Sequence, residues 1–156
     1  MHKIKQNTRG YALVEIMIVV IIMGILAFMA YPAFLKVKTY SLASRIAYDF
    51  RSFSGLFEVY YAIDNRSYPA DAPPGAIPPG LEEYIKTSDW TSSSTIGGNY
   101  DWIFNGSTRT PVAAVAIFGY TTNDDPVLKL DEIMDDGNLG PGIIQKTGNA
   151  IIYVIG

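Results

Sequence analysis

The hydrophobic pattern of the chain is dominated by one stretch, residues 9–32. Residues 16–30 contain no charged side chain, and a single carboxylate, Glu15, lies just before them. At 1.5 Å per residue, about twenty apolar residues form a helix long enough to cross the ~30 Å hydrocarbon core of a bilayer. The pattern therefore predicts a membrane-spanning helix over residues 11–34.

A second pattern follows Pro32 and has helical spacing. Apolar residues recur at intervals of three or four, the stripe of an amphipathic helix. The stripe consists of Leu42, Ile46, Phe50, Phe53, Phe57 and Tyr60. We therefore expect residues 35–63 to continue the same helix, with Arg45 and Asp49 paired on its polar face.

Two residues predict an irregularity within the apolar stretch. Gly24 permits close helix approach or local loosening, and Pro32 removes a backbone donor, so a kink or a melted turn is expected over residues 24–32. Simple packing of a small residue in the membrane explains Gly24 equally well.

Beyond residue 63 the pattern indicates a head domain, residues 64–156, built from short elements. Pro and Gly residues up to Gly80 predict a surface loop, and Leu81–Ile85 a short helix. Strands are predicted at 100–104, 112–120, 143–146 and 150–155, with turns at Asn105-Gly106 and at residues 147–149.

A further short helix is predicted from about Pro126 to Met134. Asp124 and Asp125 would cap its start by accepting backbone N–H bonds, and Asp135-Asp136-Gly137 would end it. The fold class is therefore α+β: a long N-terminal helix packed through its aromatic stripe against a small antiparallel sheet of about four strands.

Charge gives the expected orientation in the membrane. Lys3, Lys5 and Arg9 precede the apolar stretch without an acidic residue, which favours a single-pass protein with its N-terminus inside and its C-terminus outside. A secretory signal would place small residues after its apolar core, whereas Gly10 precedes this one. Cleavage at Gly10 would leave the apolar helix on the mature protein.

Glu15 is the one costly residue of this segment. A carboxylate in a membrane helix costs a few kcal/mol on insertion scales and usually marks a pairing site. The alternative is that Glu15 lies at the headgroup boundary, close to the basic leader.

These residues resemble the N-terminus of the type IV pilins and of the related pseudopilins of type II secretion and competence systems. The resemblance rests on a basic leader ending in Gly10, an aromatic Tyr11 where the family usually has phenylalanine, then Glu15, Gly24 and Pro32. It covers residues 9–32 closely, and over the rest of the chain it concerns architecture only.

The resemblance implies a pilin-like fold and a defined sequence of processing. Residues 1–10 would be a leader that a prepilin peptidase removes after Gly10 at the bacterial inner membrane, and the new amino group of Tyr11 would be methylated. An inner-membrane assembly platform would then extract the subunit into a periplasmic or cell-surface filament with other pilin subunits, its helix forming the filament core.

The resemblance gives Glu15, Gly24 and Pro32 roles in assembly. In a core of apolar helices, the positive amino group of Tyr11 on one subunit could pair with the Glu15 carboxylate of a neighbour. Such a pair would favour the correct stagger between subunits and penalise a slipped one.

Three functions remain open at this point. The first is a structural subunit of a type IV pilus or pseudopilus, and the second is a minor or tip pilin whose head binds a surface, a cargo or DNA. The third is a simple anchored periplasmic protein. The chain has 12 basic and 15 acidic residues, and without the three basic residues of the leader its formal charge is −6. Lys and Arg are also sparse after residue 51, so we expect no nucleic acid partner.

The composition argues against an enzyme. The sole histidine, His2, lies in the leader, and the chain has no cysteine. The mature chain therefore could not build a Cys-His or Ser-His arrangement or a disulfide, and no glycine-rich phosphate loop follows a strand.

An acidic group near the C-terminus is the candidate for a metal. Calcium binds six to eight oxygen ligands. The group consists of Asp124, Asp125, Asp131, Glu132, Asp135 and Asp136 with Asn138. Asp124, Asp125, Asp135 and Asp136 are the calcium candidates, although helix capping also explains the first two and EF-hand spacing is absent. No other cofactor is expected.

Overall fold

Helices and strands follow the predicted order along the chain. The computed structural model describes residues 8–63, 66–104 and 113–155, with side chains in the first range from Tyr11 onward. The elements are α1 (Thr8–Ile63), α2 (Thr87–Thr91), β1 (Asn99–Phe104), β2 (Ala113–Phe118), α3 (Asp125–Met134), β3 (Ile144–Thr147) and β4 (Ala150–Val154). Contacts divide the chain into an N-terminal unit, Met1–Lys38, and a head unit, Thr39–Gly156, and α1 contributes to both.

Helix α1 has 56 residues and confirms the predicted long helix, which begins earlier than expected, at Thr8. The helix as described ends at Ile63, the last residue predicted for it. Residues 24–32 are helical throughout, so of the two predicted irregularities the melted turn was wrong, while the kink stays a prediction. Proline costs a helix interior ~3 kcal/mol by removing one hydrogen bond and crowding the preceding turn. The apolar helix formers on both sides of Pro32 outweigh that local cost.

The sheet has four antiparallel strands in the order β1-β2-β4-β3. Tyr100 pairs with Ile117, Val115 with Tyr153, and Ile144 also with Tyr153. The predicted antiparallel sheet is thus confirmed. The turn expected at Asn105-Gly106 and the first residue of the predicted second strand, Val112, lie outside the described residues.

The C-terminal hairpin is tighter than predicted. Thr147 pairs directly with Ala150, which leaves Gly148 and Asn149 as a two-residue turn. Gly148 has a φ of 57°, a left-handed conformation that glycine adopts without steric cost.

The core of the head unit forms where the aromatic stripe of α1 meets the sheet. Ile46, Phe50 and Phe57 are fully buried. The Phe57 ring stacks on Trp102 with 3.7 Å between centroids, and Phe53 meets Trp90 edge-on at 4.9 Å. The predicted packing of sheet on stripe is confirmed, and these aromatic pairs add to the burial of apolar area.

The proline-rich loop covers one sheet edge instead of extending the sheet. Gly75 donates its N–H to the carbonyl of Tyr100 on β1 at 2.7 Å, and the Trp102 indole donates to the Pro69 carbonyl at 3.1 Å. The opposite edge is covered where Lys146 on β3 donates to the Leu139 carbonyl. Covered edges present fewer free backbone groups to other chains.

The short helix predicted at Leu81–Ile85 was wrong. Ile85 donates to the Leu81 carbonyl at 2.9 Å, which closes a single turn, and Lys86 is then extended, with a ψ of 115°. Burial of Leu81 and Ile85 one turn apart explains the apolar spacing without a helix. The short helix of this region is α2, which follows Lys86.

Helix α3 occupies the predicted residues but is not capped as predicted. The Asp124 side chain makes no capping hydrogen bond to the helix. Its carboxylate instead accepts hydrogen bonds from Tyr120, at 2.8 Å, and from Lys146 on β3, at 2.5 Å. A charged tertiary partner, Lys146, therefore replaces the local cap.

Candidate assembly helix and acidic cluster

The N-terminal unit exposes its helix on all sides. Every described side chain from Tyr11 to Lys38 is exposed, including apolar ones such as Ile18 and Phe28. Helix α1 is long and apolar enough to cross a membrane: its most apolar stretch of 18 residues has a mean hydropathy of 2.8 and is not buried within the chain. An apolar surface of this extent marks a segment that contacts lipid or other protein.

The predicted processing residues lie near the start of α1. Gly10 falls within the helix, and Tyr11 is 87% exposed. Cleavage after Gly10 would make Tyr11 the first residue of the helix, where its amino group would carry a positive charge. Processing itself stays a prediction.

Glu15 lies exposed among apolar neighbours one turn beyond Tyr11. Ion pairs between described residues all lie in the head unit, and none of them includes Glu15. Asp49, farther along the same helix, is paired instead with Arg45 at 3.4 Å and accepts a hydrogen bond from Tyr100 at 2.6 Å. The described part of the chain therefore satisfies Asp49 internally but provides no cation for Glu15.

Gly24 and Pro32, the other two predicted assembly residues, lie on the exposed part of α1. A Cβ atom added at Gly24 would meet no atom within 4 Å, so the residue leaves open backbone on the helix surface. Pro32 lies within the unbroken helix. Small residues of this kind allow the backbones of membrane helices to approach closely, but the role of both residues in assembly stays a prediction.

A carboxylate cluster forms in the head unit, though not from the four predicted residues. Ligand oxygens of Asp131, Asp135 and Asp136 lie within 4.8 Å of one another. The structure thus brings Asp135 and Asp136 together with Asp131 and leaves Asp124 and Asp125 at the other end of α3. Asp125 accepts a hydrogen bond from Asn123 at 2.7 Å.

The carboxyl groups at the two ends of α3 have pKa values shifted in opposite directions. Hydrogen bonds from Lys146 and Tyr120 lower the pKa of Asp124. Burial raises the pKa of Asp131, and the charge of Asp135 adds to the effect, while the backbone N–H groups of Gly137 and Asn138 partly offset it. Lys146 therefore neutralises Asp124 at the start of α3, whereas the Asp131 end concentrates negative charge.

Sequence reasoning included Asp131 in the acidic group but not among the calcium candidates. The sequence nevertheless contains a pattern that indicates burial of Asp131. The 3, 4, 7 spacing of a buried helix face is followed by Val127, Leu130, Asp131 and Met134. Val127, Leu130 and Asp131 are all fully buried. An acid on the apolar stripe of a short helix indicates a buried carboxylate that needs a partner.

The head unit also contains a polar cavity of about 200 Å³. Its charged lining residues are Arg45, Asp49 and Asp89. The other lining residues are Phe53 and the hydroxyl-bearing Tyr48, Ser52, Ser92, Ser93, Thr95 and Tyr100. Burial and the hydrogen bond to Asp49 raise the pKa of Tyr100, so this tyrosine is a neutral donor there. The cavity is a hydroxyl-rich crevice with a charged pair at its wall.

Comparison with known proteins gives a sequence motif and a fold. Residues 5–31 match the family model described as the prokaryotic N-terminal methylation motif. The major type IV pilin PilA1 from Clostridium difficile has a similar structure, with a TM-score of 0.50 and 19% sequence identity over 74% of this chain and 95% of that chain. No curated protein matches the chain. The chain therefore carries the methylation motif and has a pilin-like fold, as the resemblance implied.

Proposed function

We propose that the chain is a structural subunit of a type IV pilus or a pseudopilus-like filament. A prepilin peptidase removes residues 1–10 at the inner membrane, the amino group of Tyr11 is methylated, and an assembly platform moves the subunit from the bilayer into the filament. The membrane-bound subunit has its N-terminus inside and its C-terminus outside. Other pilin subunits, of the same or different sequence, are its partners.

One observation carries this proposal: the described helix surface from Tyr11 to Lys38 is exposed all the way round and is mainly apolar. An amphipathic helix would bury one face on its own chain, whereas a helix that is apolar all round is buried in lipid or among other helices. The methylation motif over residues 5–31 and the pilin-like fold favour successive burial in the two environments.

Glu15 supports assembly instead of anchoring alone. A helix that served only as an anchor would gain nothing from a carboxylate near its N-terminus and would bear its insertion cost. In a filament, the amino group that cleavage creates on Tyr11 of a neighbouring subunit carries a positive charge, opposite to that of the Glu15 carboxylate. Pairing between the two within an apolar core sets the axial register of subunits.

Mass spectrometry of the mature protein tests processing. We expect a chain that begins at Tyr11 with a methylated amino group. An intact Met1 on the protein extracted from the membrane would contradict the filament role and would leave a simple anchored protein.

The variant Glu15→Leu tests assembly. Because leucine lowers the cost of insertion and removes the pairing charge, we expect normal membrane levels and loss of at least about tenfold in sheared filaments. Glu58→Leu, which replaces an exposed carboxylate of the same helix in the head unit, is the matched control and should assemble normally. Normal filaments from Glu15→Leu would contradict the pairing.

The hydroxyl-rich cavity favours a second candidate function, a minor or tip subunit whose head binds a surface, cargo or DNA. The cavity offers hydroxyl donors and acceptors beside the Arg45–Asp49 pair. Quantitative mass spectrometry of purified filaments distinguishes the two functions. A filament made mostly of this chain supports the structural role, and a few copies per filament support the binding role. We favour the structural role over an enzymatic one because the mature chain has no histidine or cysteine.

A further inference from the structure

One wall of the hydroxyl-rich cavity is held in place by the core of the head unit. Tyr100, which is 3% exposed, donates a hydrogen bond to Asp49 at 2.6 Å, and its ring meets Phe53 edge-on at 4.9 Å. Arg45 pairs with the other oxygen of Asp49 at 3.4 Å. The Asp49 carboxylate is thus oriented before any ligand arrives, which lowers the ordering cost of binding.

Three hydroxyl groups that line the cavity have no partner within the described part of the chain. The hydroxyls of Ser52, Ser93 and Thr95 form no hydrogen bond with any other described residue. Each hydroxyl offers one donor and two acceptor sites. A ligand that both donates and accepts hydrogen bonds can satisfy such groups in place of water.

The charges of the lining favour a neutral ligand. Asp49 is paired with Arg45, and Asp89 lies 3.9 Å from the Lys86 ammonium group. Because both carboxylates already have a cation, a cationic ligand would meet like charge. An anionic ligand, such as a phosphate, would meet two carboxylates and one guanidinium group in the lining. Among the lining residues Phe53 alone has no polar group, so an apolar ligand would leave the others unsatisfied.

The size of the cavity matches one sugar ring. Its volume of about 200 Å³ is below the ~300–1,000 Å³ of pockets for drug-sized ligands. A hexose, with about twelve non-hydrogen atoms, is correspondingly smaller than a drug-sized ligand. Tyr48 also lines the cavity and is 67% exposed, so its ring is available to the apolar C–H face of a sugar.

We infer that the hydroxyl-rich cavity binds one neutral sugar residue, either a free sugar or the terminal residue of a glycan. Asp49 accepts hydrogen bonds from the sugar hydroxyls, and the N–H groups of Arg45 that do not face Asp49 donate to them. The serine and threonine hydroxyls of the lining both donate and accept. The inference names the ligand class of the binding role proposed above and rests on that role.

Saturation-transfer NMR on the full-length protein tests the ligand class. The protein is kept in lauryldimethylamine oxide, because maltoside and glucoside detergents carry sugars of their own. Glucose, galactose and N-acetylglucosamine are the probes. We expect saturation transfer to at least one of them, with a Kd of about 1–10 mM, as for a small ligand with few apolar contacts. Absence of transfer to all three would overturn the inference.

Charged sugars test the electrostatic argument. Glucuronate carries a negative charge and protonated glucosamine a positive one, on rings of nearly the same size as the neutral probes. Each should bind at least about threefold more weakly than the best neutral sugar. Tighter binding of either charged sugar would contradict the neutral ligand class.

Disaccharides distinguish the two sources of the sugar. Maltose, lactose and chitobiose end in glucose, galactose and N-acetylglucosamine respectively. Binding of the disaccharide as tight as that of its terminal sugar would support a glycan as the ligand. Weaker binding of the disaccharide would support a free sugar in the same cavity.

A matched pair of variants on α1 locates the site. Ser52→Tyr places a large side chain in the cavity, whereas Ser41→Tyr makes the same change at an exposed position outside the lining. Sugar affinity should fall at least about tenfold in Ser52→Tyr and stay unchanged in Ser41→Tyr. Unaltered affinity in Ser52→Tyr would place the sugar elsewhere and overturn the assignment.

A second pair tests the charged wall. Arg45→Gln removes donors from the cavity and should weaken sugar binding at least about threefold. Arg51→Gln, at an exposed cation of the same helix that does not line the cavity, should leave binding unchanged. Both positions are exposed, so both variants should fold, which thermal unfolding checks. Equal binding by the two variants would contradict the role of Arg45.

Filament composition separates failure of this inference from failure of the binding role. A few copies of the chain per filament, without binding of any neutral sugar, would overturn the inference and leave the binding role in place. A filament made mostly of this chain would contradict a minor or tip role, and sugar binding would then assign the cavity to the main subunit.

Discussion

The two parts of α1 use apolar residues in opposite ways. From Tyr11 to Lys38 apolar side chains surround the helix and none is buried, whereas between Leu42 and Tyr60 they form one stripe whose centre is fully buried. A stripe finds its partner within the chain, because the sheet can cover one face. An all-round apolar surface can be buried only by other molecules, either lipid or neighbouring helices.

The acidic residues of the helix repeat this contrast. Asp49 is satisfied within the chain by Arg45 and Tyr100. None of the ion pairs between described residues includes Glu15, so we expect its partner on another molecule. The spacing of the apolar residues and the location of each carboxylate's partner thus agree: residues 42–60 of α1 serve folding, and residues 11–38 serve assembly.

The largest expected difference between the two parts comes from deleting a side chain of the core. Phe57→Ala should lower the free energy of unfolding by about 3–5 kcal/mol, because Phe57 is fully buried and stacked on Trp102. Ile22→Ala, at a position that is 52% exposed, should leave that free energy nearly unchanged.

Urea unfolding in detergent, followed by tryptophan fluorescence, measures both variants. Trp90 and Trp102, the two tryptophans of the chain, are buried in the head unit and report only its unfolding. If Ile22→Ala destabilised the head as much as Phe57→Ala, the division between folding and assembly would be wrong.

A smaller effect is expected from the hydrogen bond that joins α1 to β1. Tyr100→Phe should lower the free energy of unfolding by about 1.5 kcal/mol, since it removes a partly buried bond to the charged Asp49 carboxylate. Tyr31→Phe, on the exposed surface of the N-terminal unit, should change it by less than about 0.5 kcal/mol. Equal losses in the same urea assay would show that the bond to Asp49 contributes nothing specific.

Asp101 on β1 should make the stability of the head unit depend on pH. Burial raises the pKa of its carboxyl from 3.8 to about 6, and the charge of Asp71 adds to the effect. The folded chain therefore binds this proton more tightly than the unfolded chain, so the contribution of Asp101 to stability is highest below pH ~4, falls between pH ~4 and ~6, and stays lower above that range.

Asp101→Asn should remove the part of the slope that comes from Asp101 and raise the free energy of unfolding at pH 8 by about 1 kcal/mol, a value reduced because the group is partly solvated. Glu58→Gln, at an exposed carboxylate, should leave the slope in place. Urea unfolding between pH 4 and 8 provides the measurement, and an unchanged slope in Asp101→Asn would assign the pH dependence to another group.

The architecture was largely predictable from the sequence because its signals are local and periodic. The long helix, the packing of its aromatic stripe and the antiparallel sheet follow from spacings of 3.6 and 2 residues. The errors fell where two local signals competed. The turn at Leu81–Ile85 has the spacing of a helix but only the length of one turn, and Pro32 lies in a helix long enough to tolerate it.

The membership of the acidic cluster could not be predicted from the sequence. Sequence places six acids close together but does not show which carboxylates meet. Asp124 does not join the cluster, because it accepts a hydrogen bond from Lys146. Lys146 lies on β3 and becomes a neighbour of Asp124 only when the sheet forms. Asp131 is buried because the face of α3 that carries Val127 and Leu130 packs into the core.

The segment whose partners lie outside the chain can be identified from the amino-acid sequence. Residues 11–34 are apolar without a helical period, and Glu15 is their single charged residue. Which charges of the head unit are satisfied and which lie close together can be seen in the folded chain but not in the sequence. Hydrophobicity is a property of each side chain, whereas the cost of a buried carboxylate depends on the atoms that other elements bring to it.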